Sequence, residues 1–299
     1  MIRKPPLILP ALWMAAAIAA PALAQPKPAE PLAFEVTSVK PNNSEDMRGI
    51  RTQAVGTRYS ATNLPLGLLV VNAYNLPFQS MRLKGLLEWA FRERFDIDAR
   101  AAADVLPDDL AANQRKDRMH ALLQSLLADR FKLAIHRETK EMPFYALVVG
   151  KNGPRMPRAA IEEKDCVEDP AAADIPCHRF MGGQGRGLHG QAVSMQDLVQ
   201  FIENWTDKPV LDKTTLLGLF SIESEGWVSM RQAPPPPAPS TSPSTAPVIV
   251  RPPSGDGDPS DPTRPTLFMV LAKLGLELKV QKGSIDIFVV DHIERPAAN

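Results

Sequence analysis

The chain has 299 residues, 44% of them hydrophobic, and its 34 lysines and arginines balance 34 aspartates and glutamates. The hydrophobic share can supply real cores, whereas the charge balance excludes the basic excess by which a nucleic-acid binder neutralises phosphates. No nucleic acid is therefore expected as a partner.

At the start, Arg3 and Lys4 precede an apolar segment from Leu7 to Ala20, and then come Pro21-Ala22-Leu23-Ala24 and Gln25. A basic start, an apolar stretch and small residues at Ala22 and Ala24 make a secretory signal, with cleavage expected after Ala24. Residues 1–24 are thus expected to be lost, and Gln25 offers no cysteine for lipid attachment. An uncleaved anchor needs about 20 apolar residues, and no later segment is long enough to span a bilayer. The expected location is the periplasm or the exterior.

From residue 25 the elements follow in order. Phe34 to Lys40 reads as a strand that stops at Pro41-Asn42-Asn43, and a polar run follows. Arg58 opens a short strand leading into a helix with Leu66, Leu69, Val70, Ala73 and Tyr74 on one face. Ser80 to Lys84 and Arg94 to Arg100 supply two more strands, with a helical turn or loop between them. In the second of these, Arg94, Asp96, Asp98 and Arg100 alternate with Phe95, Ile97 and Ala99, so the charges share one face. Two carboxylates at that spacing could serve acid-base chemistry, but flanking arginines make a solvated ladder of opposite charges the simpler account.

The best-patterned stretch runs from Met119 to Gly153. Met119, Leu122, Leu123, Leu126, Leu127 and Phe131 fall at helical spacing, Leu133 and Ile135 alternate with polar residues, and Phe144 to Val149 is an apolar run. This predicts a helix packed over a ribbon of two strands joined by a polar turn. Residues 155–184 then read as a polar loop holding Cys166 and Cys177, the two cysteines of the chain. In an exported protein a disulfide between them is the default. A metal site from Cys166, Cys177 and His178 has too few ligands at a familiar spacing, so no metal and no cofactor are expected.

Further on, Met195, Leu198, Val199 and Ile202 mark a helix, with Ser194 as N-cap and Asp197 as its capping partner. Pro209 to Lys213 and Leu219 to Ser224 make two short strands. A proline-, serine- and threonine-rich insertion fills 233–265 and reads as an extended segment that buries little. Thr266 to Leu274 is a helix ended by Gly275; Leu276 to Val280 and Ile285 to Ile293 are strands around a turn at Lys282-Gly283-Ser284.

Laid over each other, Arg58 to Tyr74 matches Gly187 to Ile202, Ser80 to Arg100 matches Pro209 to Ser224, and Met119 to Val149 matches Leu267 to Val290. The expected fold class is α+β in two similar halves, 25–154 and 185–299. Each reads strand-helix-strand-strand-helix-strand-strand, with helices packed on a small mixed sheet.

Catalytic signatures are few. No Gly-x-Ser-x-Gly elbow occurs. Gly182 to Gly187 is glycine-rich, but a polar loop precedes it and a strand-like segment follows, which is not the setting of a phosphate-binding loop. The five histidines, 120, 136, 178, 189 and 292, form no close cluster in sequence, although His189, His136 and a carboxylate such as Asp212 could still meet in space. Trp89, Trp205 and Trp227 lie near element ends, where packing and binding are both open. No catalytic residue is assigned.

The order of elements resembles the small N-terminal domains of secretins and the short signalling domain of TonB-dependent receptors, which bind proteins in the periplasm. FEVTSVKPN at 34–42, RFDIDARA at 94–101, LLADRFKLAIHRETKEMPFYALVVGKNGP at 126–154, SMQDL at 194–198, PVLDKT at 209–214 and VVDHIERP at 289–296 are similar to an exported family of unknown function multiplied in soil bacteria. That family carries a Gly-x-Tyr turn where this chain has Thr215 to Phe220. Some of its relatives look fused to membrane metallopeptidases of the antibiotic-sensor type, which implies an external sensing role. The expected function is a non-enzymatic module binding a protein or peptide of the cell envelope, through an open sheet edge. The alternative is an envelope hydrolase or other enzyme with a site between the two halves.

Overall fold

The computed structural model describes residues 32–44, 49–107, 109–110, 112–166, 174–228 and 264–296. The expected signal segment and nearly all of the proline-rich stretch 233–265 lie outside the described residues.

In chain order the elements are β1 (Val36–Pro41), β2 (Arg51–Val55), β3 (Arg58–Pro65), α1 (Leu66–Ala73), β4 (Leu83–Lys84), α2 (Trp89–Arg92), β5 (Arg94–Arg100), α3 (Ala112–Phe131) and β6 (Ala134–Val149). After a 3-10 turn at Glu163–Asp165 come β7 (Met181–Gly183), β8 (Gly187–Val193), α4 (Met195–Glu203), β9 (Val210–Asp212), β10 (Phe220–Glu223), α5 (Leu267–Lys273) and β11 (Leu276–His292). The fold is mixed α+β, as expected. Its strands form three sheets, ordered β1-β5-β3-β2, β10-β8-β7 and β4-β11-β6-β9.

The spine is the pairing of β6 with β11, which runs antiparallel from Leu276 opposite Val149 to His292 opposite Ala134. Here the structure corrects the expected hairpins. The polar turn expected between Ile135 and Phe144 and the one read at Lys282 to Ser284 are the middles of two continuous strands, of 16 and 17 residues. A strand of that length spans about 50 Å, so each runs from one core into another. Leu133, Ile135, Val290 and Ile293 join the first core, while Tyr145, Leu147, Leu276 and Leu278 join the second. Along the ladder Phe144, Ala146 and Ile285 bury a small third cluster and Ile287 is buried as well, whereas residues 136–143 and 279–284 are exposed or half-buried and mostly polar.

The first core lies between the sheet β1-β5-β3-β2 and the helices α1 and α3. Leu122, Leu123, Leu127 and Phe131 of α3 are buried, and Phe131 meets Phe95 of β5 edge to face at 5.1 Å. Each such side chain contributes about 1.5–3 kcal/mol through its burial. The second core sits under α4 and α5, around Met195, Leu198, Ile202, Val270 and Trp227. Ser194 caps α4 as expected: its hydroxyl accepts from the Asp197 N–H at 3.1 Å, and Asp197 answers by accepting from the Ser194 N–H at 2.8 Å.

The cores are also tied by a polar clasp. Glu203, the last residue of α4 and 1% exposed, accepts from Ser80 Oγ at 3.0 Å, from Arg82 Nε at 3.3 Å and from the Val210 N–H at 3.0 Å. Beside it the Gln79 N–H reaches Asn204 Oδ1 at 3.4 Å, and Gln200 Nε2 donates to the Asn75 carbonyl at 3.3 Å. Residues 75–82 are thereby held against the end of α4.

Candidate functional site

The sheet β1-β5-β3-β2 covers the first core with one face and shows water the other. Its outer rows follow from the register: Val36, Arg100, Arg58 and Val55 in one, Ser38, Asp98, Ser60 and Gln53 in the next, then Lys40 and Asp96, with Arg51 at the far end of β2. Arg94 lies beyond Asp96 on β5, and its guanidinium donates to the Ser44 carbonyl at 2.6 Å. Five cations thus share this face with two carboxylates, and both carboxylates are engaged.

Asp98 accepts from Arg58 Nε at 2.9 Å and Nη2 at 2.7 Å, and the hydrogen bond to Arg58 holds its carboxyl below the ordinary range. Asp96 accepts from Asn42 Nδ2 and from the Asn63 N–H, both at 2.8 Å. Asn63 has a left-handed backbone, φ +57°, at the bulge where β3 shifts register against β5. Asp96 therefore fastens a bulge, and the pair of carboxylates acts as a solvated, structural ladder rather than an acid-base couple.

The edges of the sheets differ. On β1, Arg130 Nη2 donates to the Thr37 carbonyl at 3.2 Å, and Pro41 has no N–H to offer. The strand β10 is covered by residues 157–159, whose Ala159 N–H reaches the Leu219 carbonyl at 3.0 Å while the Ser221 N–H reaches the Pro157 carbonyl at 3.0 Å. The strands β4, β7 and β9 are two or three residues long. Among the described residues, the outer edges of β6 and β11 are unpaired beyond the short strands β9 and β4; of the strands that end a sheet, this leaves β2, five residues long and last in its sheet. Val55 and Arg58 close a two-residue hairpin in which Gly56, at φ +56°, supplies the positive φ of the favoured turn. Antiparallel alternation then turns the N–H and C=O groups of Thr52 and Ala54 outward, and no described residue pairs with them.

A second grouping forms around the cysteines, which are joined as a disulfide with Cα atoms 5.8 Å apart. His178 Nδ1 lies 2.7 Å from Asp197 Oδ2, and Nε2 lies 3.0 Å from Glu163 Oε1. The bond to Asp197 raises His178 above the ordinary imidazole range more than burial lowers it. Burial alone would push the Asp197 carboxyl up, but His178 and Ser194 outweigh it and hold it low. Serine, aspartate and histidine thus converge, yet in an order that does not activate a nucleophile. Ser194 Oγ donates to Asp197 at 2.7 Å, so the carboxylate stands between hydroxyl and imidazole, whereas acyl transfer needs the imidazole between them.

His189, His136 and Asp212 are not brought together. His189 Nδ1 sits 2.5 Å from Glu223, and His136 bridges Asp291 at 2.8 Å and Glu138 at 3.0 Å. Asp212 accepts from the Thr214 hydroxyl and N–H, and it pairs with Leu147, eleven residues along β6 from His136 and so about 36 Å away. Glu138 and then Asp291 lift His136, and Glu223 lifts His189. A polar recess of about 320 Å³ at the end of α3, lined by Asp129, Arg130, Lys132, Glu294 and Arg295, contains no histidine.

The glycine-rich run 182–187 folds as the β7–β8 hairpin. Gly183 has φ +118°, and a Cβ there would lie 2.8 Å from the Trp205 ring. Trp205 in turn meets Phe201 and the fully buried Trp227 edge to face, and Arg295 lies 4.8 Å over the Trp89 ring. The tryptophans serve packing. Gly183→Ala is expected to destabilise the chain by roughly 2–3 kcal/mol through overpacking and backbone strain, measured by chemical denaturation. A change under about 0.5 kcal/mol, the usual range for an ordinary surface site, would mean that the ring moves aside freely.

Sequence reasoning missed β2, whose only hint was a glycine between Val55 and Arg58, and it missed Glu203. No helix among the described residues is long and apolar enough to cross a membrane. No curated protein and no solved structure matches the chain. Residues 67–293, which run from the second residue of α1 through the whole of β11, match the family model described as a protein of unknown function, DUF3738, and the chain belongs to that family.

Proposed function

We propose that this is an exported, non-enzymatic module that binds a protein or peptide of the cell envelope, by adding an extended segment to the free edge of β2. The observation that carries the reading is the outward Thr52 and Ala54 backbone, beside a bare sheet face on which cations outnumber carboxylates. An added strand takes its affinity from main-chain bonds and its choice from alternate side chains. Lys40, Arg51 and Arg100 favour an acidic segment. Envelope sensing is the physiological role this suggests. Export agrees with the Cys166–Cys177 disulfide, which suits an oxidising compartment. The same reading takes 25–154 and 185–299 as related halves. In its support, β5-β3-β2 and β10-β8-β7 share their connectivity, and each long strand has a short parallel partner, β4 on β11 and β9 on β6.

The test is crosslinking in the native envelope, with mass spectrometry to locate the linked residues, on wild type and Ala54→Pro. Proline removes the outward N–H of residue 54 while sparing the pairing with β3. Links should map to 51–55 in wild type and fall at least about tenfold in the variant, the effect of roughly 1.4 kcal/mol. Equal capture by a folded Ala54→Pro chain would sink the proposal.

A further inference from the structure

We propose that the Cys166–Cys177 region is a redox-gated site for a single thiophilic divalent metal ion such as zinc, closed in the disulfide form and opened by reduction. The donor atoms are already gathered. One oxygen of Glu163, the sulfur of Cys166 and a ring nitrogen of His178 lie within 4.8 Å of one another, and Cys177 Sγ is bonded to the Cys166 sulfur. In a tetrahedral zinc site, ligand atoms stand about 3.3–3.8 Å apart. A contraction of about 1 Å around the ion would therefore complete it.

The outer partners fit as well. Zinc-binding histidines hold the ion with one ring nitrogen while the other donates to a carboxylate, which fixes the tautomer and the ring plane. Asp197 Oδ2, 2.7 Å from His178 Nδ1, occupies that position, and it directs Nε2 toward Glu163 at 3.0 Å. Asp197 is itself fixed by Ser194 in the capping box of α4. On the histidine side the backbone is anchored too: the His178 N–H donates to the Ala192 carbonyl of β8 at 2.8 Å, and Cys177 forms a bridge with Ala192. Glu163 and Cys166 come from the 3-10 turn and the residue that follows it. Two short, locally organised segments thus present two donors each.

In the oxidised chain the sulfurs are bonded to each other and cannot act as thiolates. A dithiol reductant would deliver two electrons and two protons to the S–S bond, becoming a disulfide itself and leaving two thiols here. Each thiol then loses its proton as its sulfur binds the metal. Reoxidation by a disulfide, which accepts the two electrons and is itself reduced to a dithiol, would re-form the S–S bond and expel the ion.

The test uses the full chain, reduced without oxygen by a phosphine and checked for two free thiols. Cobalt(II) should bind one per chain, with a thiolate charge-transfer band and the visible bands of a tetrahedral ion, and zinc should displace it. The oxidised chain should give neither. Asp197→Asn should weaken binding about 10–100-fold without changing the stoichiometry, and His178→Gln and Glu163→Gln should weaken it at least as much. A reduced, folded chain without the charge-transfer band would overturn the proposal. So would equal cobalt affinity in wild type and all three variants, or loss of the fold on reduction alone.

Discussion

Glu203→Ala is expected to lower the unfolding free energy by about 3–5 kcal/mol, the usual cost of removing one partner of a buried ion pair. Glu203 is 1% exposed and its partner Arg82 has 18% of its side chain exposed, so truncation strands a nearly buried guanidinium. The same change leaves the Val210 N–H and the Ser80 hydroxyl without their acceptor, and unmet buried donors add to the penalty. A carboxylate at the C-terminal end of α4 also opposes the helix dipole. Its presence there is intelligible only through the donors that converge on it. Replacing both partners by apolar residues, Glu203→Met with Arg82→Leu, should recover much of the loss, because neither charge then needs solvation. Chemical denaturation of the single and double variants measures this directly. A single variant within about 1 kcal/mol of wild type, the range of an exposed pair, would show that water reaches the clasp.

What could be read from the sequence follows where local pattern and burial coincide. Strand β5 was legible because Phe95, Ile97 and Ala99 are buried while the charges between them face outward. Ser194 and Asp197 were legible because a capping box is local chemistry. The α+β class followed from the mixture of both periods. The long strands β6 and β11 were not legible as single elements. In their middles residues 136–143 and 279–284 are exposed or half-buried and mostly polar, which is the composition of a turn. Strand β2 escaped for a related reason: of its residues only Ala54 is partly buried, so no alternation marks it. The clasp and the His178–Asp197 contact depend on residues distant in sequence, 121 apart for Arg82 and Glu203 and 19 apart for His178 and Asp197, which no window of local pattern can join.

Stability is expected to peak near pH 6.5 and to fall on both sides, with His120 setting the acid side. Burial of this α3 residue holds its pKa down to about 4, and Lys116 one turn earlier adds to the effect while Asp117 opposes it. Between the unfolded value of 6.5 and about 4, the unfolded chain binds a proton that the folded chain refuses. Unfolding therefore gains as pH falls through that window, by up to about 3 kcal/mol from this residue. Above 6.5 the sign reverses. His136, His178 and His189 have raised values, so there the folded chain holds the protons, and the stability they contribute is lost as pH rises through their folded values. The lowered carboxyls of Asp98 and Asp197 contribute only below the His120 window, where they too must be protonated. Replacing His120 by glutamine removes the proton uptake while keeping a neutral polar side chain. Denaturation curves between pH 7 and 4.5 should thus be markedly flatter for His120→Gln, while the decline above 6.5 is unchanged. An acid limb of equal slope in wild type and variant would place the uptake on another group.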